Sequence, residues 1–287
     1  ANRLKKIRIG GVPEHFNLPW HLAIENHHFE KEGIEIEWID FPGGTGAMNK
    51  ALRLGEIDVC LLLTEGIISD IINGNPSKIV AMYVNTPLIW GIHTYFDNPI
   101  ERYGETYNKN YSISRYGSGS HLIPIVDATM NNKKINKNQF VEIKDLEGAI
   151  TSLRNGETDV FYWEKYTTKP LVDNGTFRRI GEFVTPWSCF AIAATDVVIE
   201  KESDTLKKIL AIIHFNCEQF MNSPIAIELV SNRYNQQIED VEQWFYSTEW
   251  ATNDTVSTKM IKNVMFMLKQ ASIIEEFVPL ENILKKL

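Results

Sequence analysis

Two glycine-rich tetrapeptides carry the clearest chemistry in this chain, Gly43-Gly44-Thr45-Gly46 and Gly117-Ser118-Gly119-Ser120. Each stands where a strand gives way to a helix, so that glycine-freed backbone and hydroxyl groups sit at a helix N-terminus. Unpaired N–H groups and the helix dipole make such a place a site for a carboxylate, sulfonate or phosphate. One such loop alone is a turn and a cap; two in equivalent places of the chain point to a shared guest. Arg115 and Tyr116 precede the second loop and His121 follows it, and Arg115 is placed to add a charge-assisted bond to the same anion. Acids are expected nearby. Glu65 follows Thr64, and Glu164 follows Trp163, each where an apolar strand ends, and both suit an amine or aminopyrimidine donor. His15, Phe16 and Asn17 offer a hydrogen-bonding ring, an aromatic face and an amide in the first loop, while Trp20, Trp163 and Trp187 are candidate flat walls. This mixed lining suits a small polar ligand, anionic or zwitterionic.

Other chemistries lack their residues. His15, His21, His27 and His28 crowd one stretch, but adjacent His27 and His28 point apart on a helix and no carboxylate completes a metal spacing, so no metal is expected. The Gly117-Ser118-Gly119-Ser120 run lacks the Gly-x-Ser-x-Gly pattern of a nucleophile elbow, and no cysteine–histidine pair or zinc signature is visible. No catalytic residue and no cofactor is expected.

The elements that must position these loops read as α/β. A strand over 7–10 leads through the Val12-Pro13-Glu14-His15 loop into a helix that starts near Leu18 and runs, by its spacing, to Gly33. Ile34-Glu35-Ile36-Glu37-Trp38-Ile39 alternates as a half-buried strand. A helix from the Gly43–Gly46 loop, capped by Gly55, precedes an apolar strand over 58–63. The second half repeats the plan: Leu52-Arg53-Leu54-Gly55-Glu56-Ile57-Asp58-Val59 returns as Leu153-Arg154-Asn155-Gly156-Glu157-Thr158-Asp159-Val160, a helix ending at glycine and a strand starting after aspartate. A period near 100 residues is too long for a solenoid and fits two lobes on one plan. Two crossings, Pro87 to His93 and Val184 to Phe190, carry the chain out and back. The expected division is 1–91 with 190–287 as one lobe and 92–189 as the inserted lobe, each a mostly parallel sheet flanked by helices. Four helical stretches after residue 205 are expected to buttress the first lobe.

Composition narrows the partners. At 287 residues, with 44% hydrophobic and 23% charged, the chain is an ordinary globular one. A net charge of −8 with scattered basic residues gives no footprint for nucleic acid. The longest apolar runs fall far short of the roughly 20 residues of a bilayer span, so an integral membrane protein is not expected. No charged n-region and apolar h-region precede the first strand. A periplasmic or otherwise extracytoplasmic location is expected if a leader was removed, and a cytoplasmic one if the chain is naturally leaderless.

Arg8-Ile9-Gly10, Phe29-Glu30-Lys31-Glu32-Gly33-Ile34, Gly43-Gly44-Thr45-Gly46 and Leu54-Gly55-Glu56-Ile57-Asp58-Val59 resemble, in that order, the nitrate/sulfonate/taurine and thiamine-pyrimidine substrate-binding proteins of ABC transporters. The Val12-Pro13-Glu14-His15-Phe16 loop is similar to a branch of bacterial and fungal proteins that share the fold without an established ligand. The resemblance implies a two-lobed type II periplasmic-binding-protein fold, hinge closure on a ligand, and an ABC permease as partner. Its ligand contacts fall, position by position, on the loop around His15 and Asn17, the Gly43 to Gly46 turn, Thr64-Glu65, and the Ser118 to His121 turn. The same fold houses yeast-type pyrimidine synthases of thiamine biosynthesis, which sacrifice a histidine and depend on a cysteine-rich iron-associated motif. Here Cys60, Cys189 and Cys217 stand far apart, so that enzyme is the second reading.

Overall fold

The computed structural model describes residues 3–287. The first lobe runs β1 (Lys5–Gly11), α1 (Leu18–Glu25), β2 (Ile34–Asp40), α2 (Thr45–Arg53), β3 (Val59–Leu63), α3 (Thr64–Ile72) and β4 (Ser77–Val84). The chain then crosses into β5 (Ile89–Tyr95), β6 (Tyr111–Ile113), α4 (Gly119–Met130), β7 (Phe140–Glu142), α5 (Leu146–Arg154), β8 (Val160–Glu164), α6 (Lys169–Asp173) and β9 (Phe177–Val184). It returns as β10 (Phe190–Thr195) and ends in α7 (Asp196–Lys201), α8 (Ser203–Met221), α9 (Ala226–Tyr234), α10 (Ile238–Tyr246) and α11 (Thr258–Gln270).

The strands form two sheets of the same plan, β2-β1-β3-β10-β4 and β7-β6-β8-β5-β9. In each, the strand arriving from the other lobe, β10 or β5, inserts antiparallel between two strands that run the other way. The remaining pairs are parallel, as the covered helix-strand order requires. β3 (Val-Cys-Leu-Leu-Leu) and β10 (Phe-Ala-Ile-Ala-Ala-Thr) are buried along their whole length, which is why they carry continuous apolar runs and not an alternation.

The eight-residue repeat occupies equivalent places, closing α2 into β3 and α5 into β8. Gly55 and Gly156 end their helices at φ +70° and +75°, a conformation that costs glycine little. The aspartates that follow do a second job. Asp58 accepts the Arg8 backbone N–H at 2.9 Å and holds the Arg8 guanidinium at 2.9 Å; Asp159 accepts the Asn110 backbone N–H at 3.3 Å and the Asn98 side-chain amide at 3.1 Å. Each acid thus satisfies a backbone donor where the parallel ladder to the neighbouring strand begins.

Two sequence expectations shift. α1 stops at Glu25 because His27 turns left-handed, at φ +59°, and the chain reaches Gly33 through a short 3₁₀ turn instead of one long helix. The division after residue 91 falls inside β5: Ile89, Trp90 and Gly91 already pair with β9, so the sheets place the crossings at 85–88 and 185–189. The crossings bond to each other, Thr185 N–H to Leu88 O at 3.2 Å and Cys189 N–H to Thr86 O at 3.1 Å.

The C-terminal helices pack α8 on α1 and α11 on α3. They also bring Trp244 and Trp250 against Phe16, whose carbonyl accepts from Tyr83 Oη at 2.6 Å and Trp250 Nε1 at 3.1 Å. Replacing Asp58 or Asp159 by alanine is expected to cost about 1 kcal/mol each, because both charged hydrogen bonds are partly solvent-screened. Urea unfolding of the two single variants checks this, with unchanged secondary structure as the control.

Candidate functional site

The lobes meet over a cavity of about 40 Å³, lined from the first lobe by Val12, Glu14, Gly44, Thr45 and Leu63 and from the second by Trp90, Ser114, Ser118, Gly119, Ser120, Trp163 and Glu164. Leu88 and Phe190, at the ends of the two crossings, complete its lining. A volume of that size holds about three waters.

One wall consists of helix ends. Gly44 and Ser118 are the N-caps of α2 and α4, and the two loops touch: the Gly46 backbone N–H donates to Ser118 Oγ at 2.6 Å. N–H groups at the start of a helix lack the intrahelical partner that later turns have, although in α4 the His121 N–H already bonds the Ser118 carbonyl at 3.0 Å. Hydroxyls brace the loops from behind. Thr45 Oγ1 accepts the Leu63 backbone N–H at 3.1 Å, and Ser120 Oγ accepts the Ser114 backbone N–H at 2.9 Å.

The other wall is acidic. Glu164 is buried, and its carboxylate accepts from the backbone N–H groups of Tyr166 and Thr167 and from Thr167 Oγ1, at 2.8–3.0 Å. Burial still raises its pKa, against those bonds and the charge of Arg179. Glu14, on the loop after β1, is 8% exposed, and burial and then the Glu164 charge push its carboxyl up to about 8. Glu65 lies behind the cavity at the start of α3, where it accepts from Trp187 Nε1 at 2.9 Å through one oxygen and leaves the other unpartnered; burial pushes it up to about 7.

His15 is 1% exposed, stacks on Phe16 and meets Trp244 edge-on. Burial lowers its pKa to about 3. It is therefore neutral, and the 3.4 Å approach of Nε2 to Glu164 across the lobes is not an ion pair. Gln236 reaches the other ring nitrogen at 3.3 Å.

Of the residues expected from sequence, Gly44, Thr45, Ser118, Gly119, Ser120, Trp163 and Glu164 come together around the cavity. Gly43 and Gly46 pack at the lobe contact beside Arg115, and Thr64 donates to the Ser188 carbonyl at 2.7 Å. Asn17 secures its own loop, donating to Val12 O at 2.8 Å. The remainder lie elsewhere. Trp20 is a core residue stacked on Phe29, because the helical spacing of α1 turns it inward. Tyr116 is exposed, and His121 accepts the Gly117 N–H and packs on Phe140. Phe16 and Trp187 are buried behind the lining, and Arg115 and Gly117 flank it. Sequence reasoning left out Val12, Glu14, Leu63, Leu88, Trp90, Ser114 and Phe190. The signal for Val12 and Glu14 was their position in the loop after the first strand; the others belong to strands and crossings, whose edge facing the cleft is set only by sheet order.

Two sheets of matching order, joined by two crossings and closed over a cavity, define the periplasmic-binding-protein fold. Residues 90–183, which span the second lobe, match the family model described as Ca3427-like PBP. The whole chain is similar to the CA3427 gene product of Candida albicans, with 24% identity and a TM-score of 0.92 over 99% of this chain and 97% of that one. That protein is described as defining a family with the generic periplasmic-binding-protein fold. It is also similar to the alkanesulfonate-binding protein SsuA of Xanthomonas axonopodis pv. citri bound to MOPS, with 13% identity and a TM-score of 0.82 over all of both chains. The aliphatic sulphonate-binding protein SsuA of Escherichia coli follows at 16% identity and 0.69 over 96% of each chain. No curated protein matches. These likenesses bear out the resemblance and the fold drawn from the sequence. No helix among the described residues is long and apolar enough to cross a membrane.

The raised Glu65 carboxyl gives a pH test. Because its folded pKa lies above the unfolded one, its contribution is complete below about 4.5 and is lost as pH rises through about 7. Glu65→Gln, which mimics the protonated form, is expected to gain on the wild type between pH 5 and 7 with a slope approaching about 1.4 kcal/mol per pH unit. Denaturant titrations of both proteins at pH 5, 6 and 7 measure that slope.

Proposed function

We propose that this chain is a solute-binding protein that captures a small polar ligand between its lobes by hinge closure, as the substrate-binding component of an ABC importer. The observation that carries the reading is the cavity itself, which neither lobe forms alone and which both line with polar groups. Closure about the crossings at 85–88 and 185–189 brings the N-termini of α2 and α4 onto an anionic group, and the closed surface is what a permease recognises. The sulfonate-binding names of the two SsuA neighbours support an anionic group on the ligand. Binding without turnover is favoured over the pyrimidine-synthase chemistry, because burial pushes the thiols of Cys60, Cys189 and Cys217 up and leaves no thiolate in the cleft.

Gly46 tests closure. A β-carbon there would stand 2.6 Å from Ser118 Oγ, 2.9 Å from Tyr116 O and 3.0 Å from Arg115 Cβ, all on the opposite lobe. Gly46→Ala is therefore expected to leave each lobe folded, with α2 slightly stabilised, while holding the lobes apart. Any compound that raises the melting temperature of the wild type, drawn from a screen of sulfonates, carboxylates, aminopyrimidines and phosphates, should bind the variant at least about ten-fold more weakly. X-ray scattering should show ligand-dependent compaction of the wild type only. Equal compaction of both proteins, or none in the wild type, would remove hinge closure.

A further inference from the structure

One cation of the second lobe, Arg179 on β9, holds no acid among the described residues. Its bonds all go to neutral acceptors: Nε–H donates to His93 Nε2 at 3.3 Å, and Nη2 donates to Lys165 O at 2.6 Å and to Thr168 Oγ1 at 3.2 Å. The seat is built for it. Gly91 and His93 lie on one face of β5, and a β-carbon at Gly91 would stand 2.6 Å from the His93 ring and 2.9 Å from Arg179 Nε, so a glycine there makes room for the guanidinium. A register irregularity between Ile92 and His93 sets His93 opposite Arg179. His93 is buried, and burial followed by the Arg179 charge lowers its pKa to about 3. The ring is neutral, and because Nδ1–H donates to Phe161 O at 3.1 Å, Nε2 is left as an acceptor.

The charge so placed acts on the cleft. Four acids feel it, Glu182, Glu164, Asp173 and Asp240. Glu182 is paired with Lys165 and both aspartates with Lys169, whereas Glu164 touches no lysine or arginine among the described residues. Arg179 also holds the turn after β8, through Lys165 O and Thr168 Oγ1, and that turn supplies the three donors of Glu164. The other titratable groups facing Glu164 are Glu14, neutral His15, the Cys189 thiol and Tyr166, none of them a cation. An opposite charge and donors favour the ionised form of a buried carboxyl. Glu14 meets burial and the Glu164 charge, both of which favour its neutral form.

Resting on the binding-protein reading for what the cleft is, we propose that Arg179, seated by Gly91, His93 and Thr168, is the positioning residue of the acidic wall: it holds the turn that carries Glu164 and makes Glu164, and not Glu14, the charged acid of the pair. The cleft then presents one carboxylate, from the second lobe, and one neutral carboxyl able to donate a hydrogen bond, from the first.

Carbon-detected NMR titration of the unliganded, glutamate-labelled protein reads both carboxyls, assigned with Glu164→Gln and Glu14→Gln. In Arg179→Met, which keeps much of the stem and loses the charge, the Glu164 midpoint is expected to rise by at least about half a pH unit. In Arg179→Lys, which keeps the charge, it should rise by less. Glu164→Gln should lower the Glu14 midpoint. A single melting transition for each variant guards against misfolding, and Thr168→Val, which removes one anchor of the guanidinium, carries the test with the same expected rise if the methionine variant does not fold. A smaller rise in the variant that carries the test, a rise with lysine as large as that variant's, or a Glu14 midpoint indifferent to Glu164→Gln each overturn the assignment. All three are read without ligand and leave the binding-protein reading standing; that reading falls on a different result, the absence of compaction with every stabilising compound of the wider screen.

Discussion

The N-termini of α2 and α4 meet across the cleft closely enough for a backbone N–H of one to reach the capping hydroxyl of the other. Both ends carry the positive side of a helix dipole and both present unpaired N–H groups, so their approach is unfavourable unless something negative lies between them. Glycine makes the approach possible: at Gly46 and Gly119 a side chain would overlap the opposite lobe, with Leu63 Cδ1 only 2.4 Å from a β-carbon at Gly119. The two glycine-rich loops are thus a geometric requirement of closure before they are a chemical one.

The opposite wall sets the second constraint. Acids from both lobes are brought into one small volume, where burial raises both carboxyls and the Glu164 charge raises Glu14 further. Glu164 tolerates this through its three donors and the neighbouring Arg179, whose guanidinium also bonds the Lys165 carbonyl and so fixes the chain that follows β8. Positive helix ends on one wall thus face buried acids on the other.

Much of this was legible in the sequence where the signal was local. The Leu52–Val59 and Leu153–Val160 segments announce the two-lobe plan because a left-handed glycine cap and a donor-satisfying aspartate each need a particular residue at a particular step. The α2 and α4 loops were legible for the same reason. The rest depends on packing between distant segments. The His15–Phe16 loop that follows Glu14 is closed over by Trp244 of α10 and by Gln236 and Trp250 from the connections on either side of that helix, more than 200 residues along the chain. Trp20 misled in the opposite sense: an aromatic beside a binding loop, it lies on the face of α1 that stacks on Phe29. Trp90 and Phe190 reach the cavity because the exchange of strands between sheets sends both crossings beneath it, and no local pattern encodes that exchange.

The C-terminal helices also hold the two walls unequally. The first-lobe loop bearing Glu14 is gripped through the Phe16 carbonyl by Tyr83 and Trp250 and backed by Trp244, which makes it part of a continuous core. The second lobe touches those helices through fewer polar contacts, including Lys169 to Asp240 at 3.4 Å, a partly exposed pair that salt and water screen readily. Its covalent links to the first lobe are the crossings at 85–88 and 185–189, which are hydrogen-bonded to each other. The second of them is tied in turn to the start of α3, where the Thr64 N–H bonds Cys189 O at 3.0 Å and the Thr64 hydroxyl bonds Ser188 O. The residue after Thr64 is Glu65, which holds the Trp187 indole from the same crossing. The second crossing, the start of α3 and the Trp187 indole therefore form one hydrogen-bonded unit beneath the cavity.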